Sequence, residues 1–218
     1  MNFAKVIVAL LGMVLLGGCG FAEQVNMKNA DKYYDLGLQA EAQGNYAGAR
    51  EAFWRAWVNA RDGNGSPEYQ SAVLYNLGRM TGYTCNFPEA ENLLREALDR
   101  ELKISGPESA NISKRLFELA RLNYDQKKYA QAAEFYERAI PACIHLGCLE
   151  SDPIIVANSY DELNKAYESV GDLDKAKNAA AKAAEIRAKN PGAQAQFVPV
   201  RYNSMCKLVL SLILSRAA

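Results

Sequence analysis

The chain has 218 residues and 24.0 kDa, with 25 Lys and Arg against 25 Asp and Glu, 50% hydrophobic residues and a single histidine, His145. Zero net charge argues against a nucleic-acid binder, which gathers a basic excess on one face, and the hydrophobic share excludes a disordered chain. One histidine disfavours His-ligated zinc hydrolases and leaves a Ser-His-Asp or Cys-His enzyme one base, so composition leans away from catalysis.

Met1 to Lys5 form a short polar start with one positive charge, and Val6 to Leu16 are almost entirely apolar. That run is shorter than the roughly 20 residues needed to span a bilayer, but it suits the core of a secretory signal peptide. The other reading is a buried N-terminal helix. The following Leu16-Gly17-Gly18-Cys19 resembles the lipobox of bacterial lipoproteins: a branched residue, two small residues and a cysteine. The resemblance implies that residues 1–18 are removed as a lipoprotein signal peptide. Cys19 is then lipidated, with residues 19–29 as anchor and short linker. Gly20 follows and no acidic residue comes before Glu23, which resembles lipoproteins sorted to the outer membrane of Gram-negative bacteria, here on its periplasmic face. Several acyl chains, palmitate among them, at about 0.8 kcal/mol per buried methylene, make such an anchor stable.

The remainder is repetitive. Leu36, Leu77, Leu119 and Leu163 are separated by 41, 42 and 44 residues. The same spacings separate Gly37, Gly78, Ala120 and Asn164, and again Ala49, Ala90, Ala132 and Ala176. They recur in Ala56, Ala97, Ala139 and Ala183, in Tyr46, Phe87, Tyr129 and Leu173, and in Phe53, Leu94, Tyr136 and Ala180. A repeat of this kind decides the fold. Apolar residues at helical spacing predict two helices per unit, near 30–43, 46–60, 67–83, 87–104, 107–126, 129–146, 153–170 and 173–190. Ser66-Pro67-Glu68, Gly106-Pro107-Glu108 and Asp152-Pro153 read as helix starts.

Tyr33-x-x-Leu36-Gly37, then Gly44-x-Tyr46-x-x-Ala49-x-x-x-Phe53-x-x-Ala56, resembles the tetratricopeptide repeat (TPR), and the likeness extends over residues 30–190. The long period is similar to the kinesin light chain type. Cys85 and Lys127 stand where turn glycines are expected, and Asn164 and Ala180 loosen the last unit. The resemblance implies an all-α, right-handed α-α superhelical solenoid of about four helix pairs, with repeats near 30–70, 71–112, 113–156 and 157–190. Residues 191–218 then form a C-terminal tail or cap, and Leu208 to Leu214 is its apolar stretch.

No phosphate loop, nucleophile elbow, zinc-protease motif or calcium loop is present. Acidic pairs such as Asp161-Glu162 read as solvated faces. Cys143-Ile-His145-Leu-Gly-Cys148 is open to three readings: a Cys143–Cys148 disulfide in an oxidising compartment, two free thiols, or a metal site with too few ligands. Cys85 lies in a turn away from this pair, and Cys206 has no assignable partner.

In a TPR solenoid the first helix of each pair lines an inner groove. That face carries Tyr34, Tyr75, Asn76, Arg79, Tyr83, Lys114, Phe117, Arg121, Tyr124, Asp161 and Lys165. Rings offer contact area, and Arg79 and Arg121 suit an extended or helical peptide bearing acidic groups. Asn76 and Lys114 match two members of the carboxylate clamp of chaperone-binding relatives. Tyr34, Leu38 and Glu118 occupy its other positions. The expected protein is a lipid-anchored scaffold for protein or peptide partners, without cofactor, nucleic acid or small-molecule substrate. By resemblance such proteins serve pilus, secretion or cell-wall assembly. The alternatives are a self-associating structural protein and an enzyme with a site near His145.

Overall fold

The computed structural model describes residues 3–196 and 198–207, with the side chains of residue 20 and of residues 22–196 and 198–207. The Cys19 side chain and the apolar stretch from Leu208 to Leu214 lie outside that part.

The elements are α1 (Phe3–Ala42), α2 (Tyr46–Asp62), α3 (Pro67–Tyr83), α4 (Phe87–Ser105), α5 (Ala110–Asp125), α6 (Tyr129–His145), α7 (Cys148–Ser151), α8 (Pro153–Val170) and α9 (Leu173–Lys189). A further helical turn covers residues 202–207. α1–α2, α3–α4, α5–α6 and α8–α9 are antiparallel pairs stacked in chain order, each resting on the next. The result is an all-helical solenoid. α1 continues upstream of Ala30 through residues 19–29.

Local chemistry sets most boundaries. Ser66 and Asp152 cap α3 and α8, accepting the Tyr69 and Ile155 amides at 3.2 and 3.1 Å, each with proline in the first turn. The start expected at Pro107 is displaced. Gly106 has no side chain to accept an orphan amide, so Ser109 caps α5 through Ile112 N at 3.2 Å. Within each pair the turn needs one left-handed residue: Gly44 (φ 71°), Cys85 (72°), Lys127 (61°) and Gly171 (82°). Two of these four are not glycine, at a cost of roughly 1–2 kcal/mol each.

The repeating columns explain how the two helices of a pair approach. A Cβ on Gly37 would lie 2.7 Å from the Phe53 ring, and one on Gly78 would lie 2.8 Å from Leu94 Cγ. The large residue of the second helix thus fills the gap left by the small residue of the first. By the same register Ala120 faces Tyr136. In the last pair the sizes exchange, Asn164 opposite Ala180. Ala49, Ala90, Ala132 and Ala176 are all buried.

A buried polar cluster joins three helices. Glu101 accepts from Ser71 Oγ (3.0 Å), Ser105 Oγ (2.6 Å), Asn111 Nδ2 (3.1 Å) and Arg115 (2.9 Å). Burial opposes its charge, but these donors and Arg115 hold the Glu101 carboxyl below its ordinary range. α7 is a single turn, and the Cys143–Cys148 disulfide (Cα–Cα 5.3 Å) closes the α6–α7 corner. Of the three readings of these cysteines, the structure has the bond.

Ala90 is wholly buried, so Ala90→Leu should overpack the α3–α4 contact and cost roughly 1–3 kcal/mol. The loss should spread to neighbouring pairs because repeats couple mainly to their neighbours. A urea titration followed by circular dichroism measures it, and an unchanged midpoint would contradict this register.

Candidate functional site

α1, α3, α5 and α8 lie side by side and share the inner face. Its centre is the carboxylate of Glu118 on α5, only 1% exposed. Glu118 accepts from Tyr75 Oη at 3.3 Å and from Arg121 and Tyr202 Oη, and Arg79 Nε stands 3.6 Å away. Arg79 also pairs with Glu41 on α1 at 2.7 Å and donates to Asn76 Oδ1, while Asn76 donates to Tyr34 Oη at 3.0 Å. The chain of contacts runs unbroken from α1 to α5.

Burial weakens the charge of both arginines, but Glu118 more than offsets it, so Arg79 and Arg121 stay firmly protonated. Burial, reinforced by Glu118, pushes the Tyr83 hydroxyl up to about 12. Tyr75 and Tyr202 are raised further for the same two reasons. All three are neutral donors at physiological pH.

The face is not empty. After α9 the chain leaves the last pair, crosses from Gln196, bonded to Asp152 and Ser151, and lies across α8, α5 and α3. Tyr83 Oη donates to the Val200 carbonyl at 3.4 Å. The Arg201 guanidinium meets Asp125 at 2.5 Å and also pairs with Glu162, and it sits 5.1 Å over the Tyr124 ring. Asp125 further accepts the Tyr202 amide at 2.8 Å. The Tyr202 ring stacks on Tyr83 at 4.7 Å and meets Phe87 edge-on at 6.5 Å. It fits because residue 82 is glycine: a Cβ there would stand 2.4 Å from Tyr202 Cε1. The segment is fastened at its far end by a Cys85–Cys206 disulfide, Cα–Cα 5.6 Å, across 121 residues of sequence.

Most residues expected on the inner face are there, in different company. Tyr34, Tyr75, Asn76, Arg79, Tyr83, Arg121 and Tyr124 belong to the network or to the contact with the tail. Their polar groups meet other residues of the chain: the charges of Arg79 and Arg121 answer Glu41 and Glu118, and Asn76 is engaged by Tyr34 and Arg79. Phe117 leans on Tyr136 at 6.3 Å. Lys114 and Lys165 are exposed. Asp161 and Glu162 are not simply solvated. Asp161 pairs with Arg187 at 2.5 Å, and Glu162 receives Tyr136 Oη and Arg201. Cys206 does have a partner, Cys85, because the described part of the tail, to residue 207, returns along the inner face. Glu118, Asp125, Arg201 and Tyr202 escape a sequence reading. The visible signal was Cys85 itself, a cysteine at a left-handed turn position that takes glycine in the first and last pairs.

A model of the tetratricopeptide repeat family matches residues 69–144, from α3 into α6. The solved structure of BtubC (BKLC) from P. vanneervenii matches with a TM-score of 0.67 at 24% identity, covering 78% of this chain and 68% of that one. A putative kinesin light chain of P. anserina with nearly identical TPR-like repeats matches with a TM-score of 0.59 at 21% identity, covering 75% and 77%. At these identities the likeness is one of fold. No curated protein matches the sequence. Residues 69–144 thus match tetratricopeptide repeats, and the chain has the fold of a helical solenoid like those of TPR proteins; repeats of this type imply a protein-interaction scaffold.

Two outcomes follow from this geometry. Cys206→Ser removes a cross-link over 121 residues. A loss of roughly 2–5 kcal/mol should lower the melting temperature by about 5–15 °C in a chain of this size. Calorimetry measures it, and an unaltered melt would show that the tail is not fastened there. Glu118→Gln leaves the buried Arg121 guanidinium without its counter-charge and Arg79 with Glu41 alone, and should cost roughly 3–5 kcal/mol. A denaturant midpoint equal to wild type would mean that these charges are solvated.

Proposed function

We propose that the protein is a lipid-anchored TPR scaffold on the periplasmic face of a bacterial outer membrane, presenting its solenoid to protein or peptide partners. The observation that carries this reading is the use of cysteine. Four of the five cysteines pair in two disulfides, and the fifth is Cys19 at the end of the lipobox-like Leu16–Cys19 behind an apolar run. Disulfides suit an oxidising compartment, and the lipobox position suits export with acylation. The two features support export out of the cytoplasm, each from different chemistry. The scaffold role follows from the repeats, and pilus, secretion or cell-wall complexes are the assemblies such a scaffold would serve.

An enzymatic site at Cys143, His145 and Cys148 gains no support. Both thiols are consumed in the bond, and the exposed His145 lies 3.9 Å from the exposed Glu108. Among the described residues no group of three or more His, Cys, Asp or Glu is placed to hold a metal ion.

Cys19→Ser should abolish acylation and release the protein from the membrane fraction while the solenoid stays folded. Metabolic labelling with palmitate, followed by membrane fractionation, tests this. Full incorporation of label without Cys19 would end the lipoprotein reading.

A further inference from the structure

We propose that the inner groove is a binding site for an extended segment carrying a basic residue next to an aromatic one. The chain's own Arg201 and Tyr202 fill this site, and the Cys85–Cys206 disulfide decides whether another segment can replace them. The proposal deepens the scaffold reading above and rests on it.

The tail is held as a bound peptide is held. It reaches the groove through an open crossing in which Val198 is 75% exposed and Gln196 supplies the anchor, at Asp152 and Ser151. Contacts then become dense over a few residues. The groove takes the Val200 carbonyl through Tyr83, the Tyr202 amide through Asp125, and the Asn203 side chain through the Asp125 carbonyl at 2.5 Å. Backbone contacts of this kind fix register, and the two pockets beside them supply selectivity.

Those pockets have a definite chemistry. The first is a pair of carboxylates, Asp125 and Glu162, with the Tyr124 ring beneath, which together receive one guanidinium. The positive side chains nearby do not compensate them, because Arg79 and Arg121 are already matched by Glu41 and Glu118. The groove therefore selects a basic segment, the opposite of the sign that Arg79 and Arg121 suggest when read alone. The second pocket is a socket for a ring: Gly82 leaves the space, Tyr83 and Phe87 line it, and Glu118 at its floor accepts a hydroxyl.

The disulfide sets access. A tethered segment competes with any outside segment at an effective concentration of about millimolar, and a second covalent fastening at Cys206 prevents departure altogether. Cys85 and Cys206 are both half-buried. A dithiol reductant opens the bond by attack of one thiolate, giving a mixed disulfide that its second thiol resolves. Two electrons and two protons pass to Cys85 and Cys206, and the reductant leaves as its own disulfide. The tail is then an ordinary, displaceable competitor.

The test uses the full chain in detergent, carrying Cys143→Ala and Cys148→Ala so that only the Cys85–Cys206 couple responds to reductant. The probe is a fluorescein-labelled peptide of residues 196–207 with serine in place of Cys206, titrated by fluorescence anisotropy. The oxidised chain should bind it only weakly. The chain reduced with dithiothreitol should bind saturably, about tenfold or more tighter, with the internal competitor still present. Arg201→Glu in the chain weakens that competitor and should raise the reduced chain's affinity further. A peptide carrying both Arg201→Glu and Tyr202→Ala should not bind. Equal response of oxidised and reduced chains, or equal binding of the altered peptide, would overturn the proposal. So would a reduced Arg201→Glu chain that keeps its helical circular dichroism and binds nothing. Loss of that helical signal on reduction would make the tail part of the core and overturn it as well. Failure here leaves the anchored-scaffold reading standing, since palmitate labelling tests that separately.

Discussion

A carboxylate withdrawn from water loses more hydration energy than one counter-charge at ordinary distance returns, so it survives only where several donors converge. Glu118 is such a group, and the inner face is organised around its needs. Two guanidinium groups and two phenol hydroxyls from α3, α5 and the tail point at it. Each donor commits something else: Arg79 fixes Glu41 and Asn76, Asn76 fixes Tyr34, and Tyr202 fixes the course of the last described residues. Contacts between neighbouring repeats are normally apolar and interchangeable. Here one buried charge makes the first three repeats and the tail a single unit.

The tail answers to a second constraint, covalent rather than electrostatic. The turn inside each helix pair requires a left-handed residue, and the second pair places Cys85 there despite the strain, at φ 72°. Its partner, Cys206, lies at the other end of the repeat array in sequence. The bond therefore closes α4 to α9 and the start of the tail into one covalent ring, and it brings Arg201 and Tyr202 over the acidic groups of α5 and α8. Electrostatics and cross-link reinforce each other: Asp125 and Glu162 would be a destabilising pair of like charges on the inner face without Arg201 between them.

This arrangement changes how such a scaffold meets partners. A groove with open arginines would attract acidic segments wherever they arose. In this chain the arginines are neutralised from within, and the surface a newcomer must satisfy is acidic and aromatic. Discrimination then rests on displacing a resident segment of matched chemistry, which rejects partners that fit only partly.

How much of this was legible beforehand divides along physical lines. The sequence by itself determined the helices, their pairing and their stacking, because these rest on local events: apolar spacing of 3.6 residues, side-chain caps such as Ser66 and Asp152, and a small residue opposite a large one at a constant offset in the first three pairs, as with Gly37 and Phe53. Even the displaced start of α5 follows a local rule, Ser109 being the better acceptor. Tertiary structure alone decided which charges meet. Glu118 and Tyr202 are 84 residues apart, Arg201 and Asp125 76, and Cys85 and Cys206 121. Nothing in a helical period distinguishes an arginine that faces water from one that faces a buried carboxylate. That distinction depends on where the tail lies, and the path of its described residues rests on contacts with α3, α5 and α8 together rather than on any one segment.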